Sequence, residues 1–120
     1  MDRWTALATI ESGGRDAAVG RVGEISRYQI RPELWRGGNP LDARVARINA
    51  QRIMVSRESV FRQTHGRSPT NFEFYVLWNA PTQIDHPHRV VADRARRFVN
   101  LVGEATRSPG RRRDVSLAVR

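Results

Sequence analysis

Two glutamates in the first quarter of the chain stand where a carboxyl group could do acid–base chemistry. Glu11 closes the apolar run that starts at Trp4, and the pair Gly13-Gly14 follows it almost directly. Glu24 comes next, just after Gly23. A carboxyl group that is desolvated by apolar neighbours keeps its proton near neutral pH, and the C-terminal end of a helix also favours the neutral form. Glu11 is therefore a candidate general acid, and Glu24 is a candidate second carboxylate.

Three short blocks of sequence, two of which contain these glutamates, resemble the motifs of one family. The blocks are Glu11-Ser12-Gly13-Gly14, then Gly23 with Gln29-Ile30 and Pro32, and finally Asn79-Ala80-Pro81. In order and spacing, over about residues 5–100, they resemble the three motifs of the SLT-type lytic transglycosylases and goose-type lysozymes. The resemblance implies a lysozyme-like helical fold and cleavage of the β-1,4 MurNAc–GlcNAc bond of peptidoglycan. It also implies one essential glutamate, which is Glu11 in this chain.

Glu24 is a departure from the family pattern, which usually has a small residue at this place. Ser26-Arg27-Tyr28 also replaces the usual Gly-Leu-Met, Trp78 stands where a tyrosine is usual, and the third block lacks its glycine. A lytic transglycosylase needs no second carboxylate because the N-acetyl group and the 6-hydroxyl of the sugar can do the later steps. An inverting hydrolase needs a base that activates water. Glu24 is a candidate for that base, and the alternative is a loop glutamate neutralised by Arg21 or Arg27.

Six further side chains are candidates for binding the sugar. The resemblance points to Gln29 and Asn79, and proximity along the chain adds Ser26 and Tyr28. Hydroxyl and amide groups suit polyols because they both donate and accept hydrogen bonds. Gln29 and Asn79 could instead be structural and tie the loop to helix ends. Tyr75 and Trp78 lie three residues apart on a predicted helix, so one of them could stack on a sugar, although such spacing is also typical of a core.

The elements that must position these residues are predicted to be helices, so the fold class is mainly α. The expected architecture is a lysozyme-like helical domain with a small hairpin or irregular loop after the first helix. That helix should end at Gly13-Gly14, because glycine readily takes the left-handed conformation of a helix end. Residues 17–30 would form the hairpin or loop, and a brief helix with Pro32 at its start would follow.

The second half of the domain is predicted to contain three helices. The longest covers about residues 41–64, and the spacing of its apolar residues assigns the core face to Leu41, Val45, Ile48 and Val55, with Ala46, Ala50, Ile53, Val60 and Phe61 beside them. Thr70 and Glu73 have the spacing of a capping box, which predicts a helix over residues 71–79. A last helix is predicted around residues 91–102. Residues 1–106 would form the catalytic domain, and residues 107–120 an Arg-rich disordered tail.

The charge of the chain predicts polyanionic partners. All 21 basic residues are arginine, the formal net charge is +9, and five of the arginines lie in residues 107–120 with one aspartate. Such a surface suits anionic cell-wall polymers or nucleic acid. The arginines are scattered and no nucleic-acid motif is present, so nucleic acid is the less favoured partner. The open alternatives are a chitin or chitosan hydrolase on the same fold and a basic nucleic-acid-binding or wall-binding module without catalysis.

The remaining expectations concern features for which the sequence has no signal. There is no cysteine, and Asp85-His86-Pro87-His88 has no second cluster of ligands, so neither a metal site nor a cofactor is predicted. No stretch is apolar enough to span a membrane, and the first residues lack the apolar core of a signal peptide. A monomer is expected, and the substrate implied by the resemblance would place it in the periplasm or outside the cell.

Overall fold

A computed structural model describes the chain over residues 1–106, and of residues 104–106 it describes only the backbone. Four α-helices account for most of this part: α1 (Arg3–Ser12), α2 (Ala43–His65), α3 (Asn71–Asn79) and α4 (Arg89–Thr106). Short 3-10 helices cover Pro32–Leu34 and Pro81–Gln83, and the part that the structure describes contains no strand. The mainly α class is confirmed. The predicted Arg-rich tail, 107–120, lies outside the described residues.

Helix α1 begins and ends where local chemistry requires. The Asp2 carboxylate accepts hydrogen bonds from the backbone N–H groups of Trp4 and Thr5, which caps the first turn. Gly13 ends the helix with φ 69°, and its N–H donates to Thr9 O. The predicted glycine stop is confirmed. Glu11 therefore lies on the last turn of a helix whose inner face, Ala6-Leu7-Ala8, is fully buried.

The segment after α1 is a compact loop without regular strands. Isolated antiparallel bridges join Val19 to Ile25 and Ile25 to Ile30, so the chain turns back twice. Two residues that are not glycine have positive φ, Ser26 at 74° and Gln29 at 55°. Ser12 Oγ holds this loop against α1, because it donates to Arg27 O at 2.7 Å while accepting from Arg15 N. The loop is thus fixed to the end of the helix that carries Glu11.

The predicted core face of α2 is wrong for the four residues placed at its centre, but four of the five placed beside them, Ala46, Ala50, Ile53 and Phe61, are buried. Leu41, Ile48 and Val55 are 57, 60 and 64% exposed, whereas Ala46 and Ala50 are fully buried. The helix is rotated so that a stripe of small residues faces inward, which lets the backbone approach its neighbours closely. Toward the end of the helix the inward stripe continues with two large buried residues, Met54 and Phe61. Side-chain size alone therefore pointed to the wrong face.

A buried asparagine fixes the rotation of α2. Asn49 is 4% exposed, its Oδ1 accepts from Arg36 N at 2.8 Å, and its Nδ2 donates to Gly37 O and Val45 O. These bonds satisfy the amide in the interior and attach the segment before α2 to the inward face of the helix. No outward position of this side chain would satisfy the same backbone groups.

Helix α3 is the centre of the core. Five consecutive residues are buried: Phe74, Tyr75, Val76, Leu77 and Trp78. A helix that is apolar on all sides must be covered on all sides, and α4 supplies Phe98, whose ring lies 5.7 Å from Phe74 and 5.6 Å from Tyr75. Trp4 of α1 packs edge-on against Phe74 at 5.7 Å. The other helices therefore surround α3.

The predicted capping box at the start of α3 is confirmed. Thr70 Oγ1 accepts from Glu73 N, and the Glu73 carboxylate accepts from Thr70 N at 2.9 Å. Arg67 forms a bidentate ion pair with the same carboxylate, from Nη1 to Oε1 at 2.7 Å and from Nη2 to Oε2 at 2.8 Å. The hydrogen bond from Arg67 is the largest cause that lowers the pKa of Glu73 to about 2.

Replacing Glu73 by Ala should lower the free energy of unfolding at pH 7 by about 1 kcal/mol, the usual cost of a lost cap. The pKa of Glu73 is lower in the folded state, so its contribution is present above pH 4.5 and is lost as the pH falls through about 2. Urea unfolding at pH 7 and at pH 2 measures the difference between variant and wild type. A difference that stays constant down to pH 2 would contradict an electrostatic origin.

Candidate active site

An open cleft of about 740 Å³ lies between the loop, the ends of α1 and α3, and the inner faces of α2 and α4. Its volume is within the range of small-ligand sites. Five of the eight residues predicted for the site line it: Glu11, Glu24, Gln29, Trp78 and Asn79. The three blocks that carry the resemblance therefore meet around one cleft.

The Glu11 carboxyl group is mostly buried at the wall of this cleft. Its Oε2 accepts a hydrogen bond from the Tyr75 hydroxyl at 2.7 Å. Burial is the largest influence and raises the pKa of Glu11; the Tyr75 hydrogen bond and the charge of Arg94 oppose it, and the charge of Glu24 adds a small further rise. A raised pKa favours the protonated form of the carboxyl group, which is the form that a general acid needs.

Tyr75 has a different position from the one predicted. The residue is 0% exposed and does not line the cleft, so it cannot stack on a sugar in this structure. Its hydroxyl is instead the partner of Glu11. Burial, together with the neighbouring Glu11, raises the pKa of Tyr75 well above its usual range, so the phenol stays protonated as a permanent donor. Tyr75 thus fixes one oxygen of the carboxyl group.

Removing the Tyr75 hydroxyl tests this arrangement. In Tyr75→Phe the hydrogen bond that lowers the pKa of Glu11 is lost, so that pKa should rise and the alkaline limb of the pH–activity profile should move to higher pH. The maximal rate should decrease roughly tenfold because the acid is less well oriented. Tyr28→Phe is the control, since Tyr28 is also buried but is not among the groups that shift the pKa of Glu11. A limb that moves to lower pH would contradict the assignment.

Glu24 faces the same cleft from the loop. Its Oε1 accepts from Val22 N at 3.1 Å, and no ion pair within residues 1–106 includes Glu24. Arg27, one of the arginines expected to neutralise it, is bound to Asp16 at 2.6 Å instead. The alternative of a glutamate neutralised by Arg27 is therefore not what the structure contains.

Gly20 makes room for two acceptor oxygens in the cleft. A Cβ atom at this position would lie 2.7 Å from Gln29 Oε1 and closer still to the Glu24 carboxylate. The two oxygens therefore lie close to one point beside the cleft, and a side chain at position 20 would displace them. Two converging acceptors suit a small molecule with two donors, such as water.

Gln29 has the structural role that its sequence context left open, and its side-chain oxygen also faces the cleft. Its Nε2 donates to Ala18 O at 3.0 Å and to Ser26 O at 2.9 Å, which ties the loop together. Its Oε1 remains directed toward Gly20 at the cleft. The structural and the binding interpretations are therefore compatible for this side chain.

Ser26 and Tyr28 are not placed to contact a ligand, contrary to the prediction. They are 1% and 3% exposed, and neither lines the cleft. Ser26 Oγ accepts from Tyr28 N at 3.2 Å, and the Tyr28 ring packs edge-on against Trp4 at 6.2 Å. Their nearness to Gln29 along the chain was misleading because the tight turn at residues 26–29 directs these side chains into the core.

Trp78 and Asn79, at the end of α3, both line the cleft. Trp78 is 9% exposed, so only a small part of the indole is accessible. The Asn79 side chain is partly exposed and makes no hydrogen bond with another residue of the described part, so its amide can bind a ligand in the cleft. The predicted placement of this pair at the site agrees with the structure.

Several arginines of the cleft were not among the predicted site residues. Arg57 comes from α2, and Arg94 and Arg97 come from α4. No short motif surrounds any of them. For Arg57 a signal did exist, because it lies four residues before Phe61 and three after Met54, on the inward stripe of α2. An arginine on the buried face of a helix indicates a specific partner.

Residues 1–106 contain neither a candidate membrane-spanning helix nor a cluster of metal-binding side chains. None of the helices there is long and apolar enough to cross a membrane. No group of three or more histidine, aspartate or glutamate side chains in that part could hold a metal ion. His65 pairs its Nε2 with Asp85, the first residue of the segment Asp85-His86-Pro87-His88, at 2.9 Å and stacks on Phe61.

Comparison with known proteins adds no relative. The chain was compared with protein-family models, with curated proteins and with solved structures, and none of the three comparisons gave a match.

Proposed function

We propose that the protein is a glycosidase that cleaves the β-1,4 MurNAc–GlcNAc bond of peptidoglycan, with Glu11 as the general acid. The observation that carries the proposal is the Glu11 carboxyl group, largely buried at a cleft and held through one oxygen by Tyr75. The resemblance of the three sequence blocks supplies the substrate class. The same resemblance makes a lysozyme-like fold and a location in the periplasm or outside the cell part of this proposal.

The geometry supports a simple first step. The Tyr75 hydroxyl donates a hydrogen bond to Glu11 Oε2, and Glu11 Oε1 makes no hydrogen bond with a described residue. The proton on Oε1 would pass to the glycosidic oxygen as the bond to the anomeric carbon breaks. A sugar bound along the cleft would contact the Asn79 amide and the accessible part of Trp78, because both lie at the same wall.

Glu24 is the candidate base for a hydrolytic second step. Its carboxylate has no cation bound to it in the described chain, and it shares the space beside Gly20 with Gln29 Oε1. A water held between these acceptors would lose a proton to Glu24 and attack the anomeric carbon, which gives a reducing sugar of inverted configuration. In the lytic transglycosylase variant of the proposal, the 6-hydroxyl of the sugar attacks instead and Glu24 has no role.

The first test is a comparison of substrates. Purified peptidoglycan, colloidal chitin and double-stranded DNA are incubated with the protein at equal ionic strength. The proposal predicts falling turbidity of peptidoglycan with release of soluble fragments. Cleavage of chitin alone would favour the chitin or chitosan hydrolase, and DNA binding without cleavage of either glycan would favour a nucleic-acid-binding module.

A further inference from the structure

Arg57 is a half-buried cation at the cleft with an incomplete set of partners. Its Nη1 donates to Leu77 O and to Trp78 O, both at 2.8 Å, in the last turn of α3. These two bonds use one end of the guanidinium group and satisfy two helix-end carbonyls. The side chain is thereby held in a fixed position where it also lines the cleft.

The other end of the guanidinium group has no acceptor in residues 1–106. A guanidinium has five N–H donors, and neither Nε nor Nη2 of Arg57 forms a hydrogen bond or ion pair with a described residue. Burial lowers the pKa of Arg57, and no neighbouring carboxylate opposes that shift. A desolvated cation with open, planar donors is a strong attractor for an anion.

The rest of the cleft is also electropositive. Arg21, Arg94 and Arg97 line it without an ion pair to any carboxylate in the described residues. The acids that line it are Glu11 and Glu24, and Glu11 is neutral in the form that donates a proton. A neutral ligand would leave this excess of positive charge uncompensated, whereas an acidic ligand would be attracted.

We propose that Arg57 is a carboxylate-binding subsite, and that the cleft therefore selects a glycan that carries a carboxylate over a neutral glycan of the same length. Nε and Nη2 of Arg57 would bind the two carboxylate oxygens side by side, while Nη1 keeps its bonds to α3. Arg94 and Arg97 would add long-range attraction. This inference rests on the proposed function, because it names the chemical feature of the substrate that the same cleft recognises.

The experiment compares two tetrasaccharides that differ in one group. The first alternates GlcNAc with MurNAc, and the second is the same molecule with its lactyl carboxylates reduced to alcohols. Binding is measured by calorimetry with the Glu11→Gln protein, so that cleavage does not interfere. Arg57→Gln removes both the paired guanidinium donors and the positive charge. Arg57→Lys keeps the charge but loses the paired donors. Arg62→Gln is the matched control, since Arg62 is an exposed arginine of α2 outside the cleft.

With Arg57 present, we expect the acidic tetrasaccharide to bind about tenfold more tightly than the reduced one, the usual scale for a charge-assisted hydrogen bond. The preference should disappear in Arg57→Gln, decrease in Arg57→Lys and persist in Arg62→Gln. Because Arg57 also supports α3, thermal unfolding is measured for each variant. If Arg57→Gln does not fold, the binding preference of Arg57→Lys tests the inference.

Three results would overturn the inference, and the first two separate it from the proposed function. Equal binding of both tetrasaccharides by a protein whose wild type solubilises peptidoglycan would reject the subsite and leave the glycosidase proposal intact. Binding of neither tetrasaccharide, with no solubilisation of peptidoglycan, would reject both. Equal losses of preference in Arg57→Gln and Arg62→Gln would show that overall charge, rather than Arg57, is responsible.

Discussion

Glu11→Gln should lower the rate of peptidoglycan solubilisation by roughly 100-fold or more, which corresponds to about 2.7 kcal/mol of transition-state stabilisation. Glutamine has nearly the same shape, and its amide oxygen can still accept the hydrogen bond from Tyr75. What is lost is the ionisable proton. The measurement is the initial rate of turbidity loss at the pH optimum of the wild type.

The free energy of unfolding is the control for this variant, because the substitution should lower activity without lowering stability at pH 7. The pKa of Glu11 is raised in the folded state, so its contribution to stability is present below pH 4.5 and is lost as the pH rises through the folded-state value. At pH 7 the glutamine variant should therefore be at least as stable as the wild type. A variant that is inactive because it is unfolded would not support the assignment, and a stable variant with near-normal activity would remove Glu11 from the mechanism.

Glu24→Gln is expected to have the second-largest effect. If Glu24 activates water, hydrolysis should decrease by roughly 100-fold or more, and the wild-type product should be a reducing sugar of inverted configuration. The carboxyl groups of Glu11 and Glu24 should then be roughly 6.5–9.5 Å apart in a complex, which leaves room for the water. The rate is measured with peptidoglycan, and the anomeric configuration of the first product is followed by NMR.

Glu33→Gln is the matched control for Glu24→Gln. Glu33 is an exposed glutamate close in sequence that does not line the cleft, and its pair with Arg31 is long at 3.9 Å. Its removal should leave the rate unchanged. Near-normal activity of Glu24→Gln, or anhydro-sugars from the wild type, would contradict the role of Glu24 as a base and would favour the transglycosylase variant.

The end of α1 and the start of α3 were predictable because they depend on short, local signals. Gly13 ends α1 and the Thr70–Glu73 box begins α3, as expected from the residues themselves. The inward face of α2 was not predictable in the same way. The large residues Ile48 and Val55 are exposed, because small alanines and the buried Asn49 determine which side approaches the core. Such a choice depends on partners that are distant in sequence.

The site was predictable where residues in or beside the three blocks remain exposed to the cleft. Glu11, Gln29 and Asn79 belong to the three blocks and do line it. Ser26 was inferred from its nearness to Gln29, and the tight turn buries it instead. The pairing of Tyr75 with Glu11 joins residues that are 64 positions apart, so only the folded chain brings it into view. Arg57 also lies outside the three blocks, so its position at the cleft could not be inferred from them.

The basic surface remains a hypothesis that salt can test separately. If exposed arginines attach the protein to anionic wall polymers, solubilisation of walls should weaken as ionic strength rises above about 0.15 M, where the screening length is roughly 8 Å. Cleavage of a short soluble glycan should respond less.

The most direct measurement of the central claim is mass spectrometry of the soluble fragments that wild type and Glu11→Gln release from purified peptidoglycan. The account predicts disaccharide-containing fragments cut at the MurNAc–GlcNAc bond from the wild type, with at least a 100-fold smaller yield from the variant. The same spectra distinguish a hydrolysed end from an anhydro end by the mass of one water. No fragments from a folded wild type, or equal yields from both proteins, would contradict it.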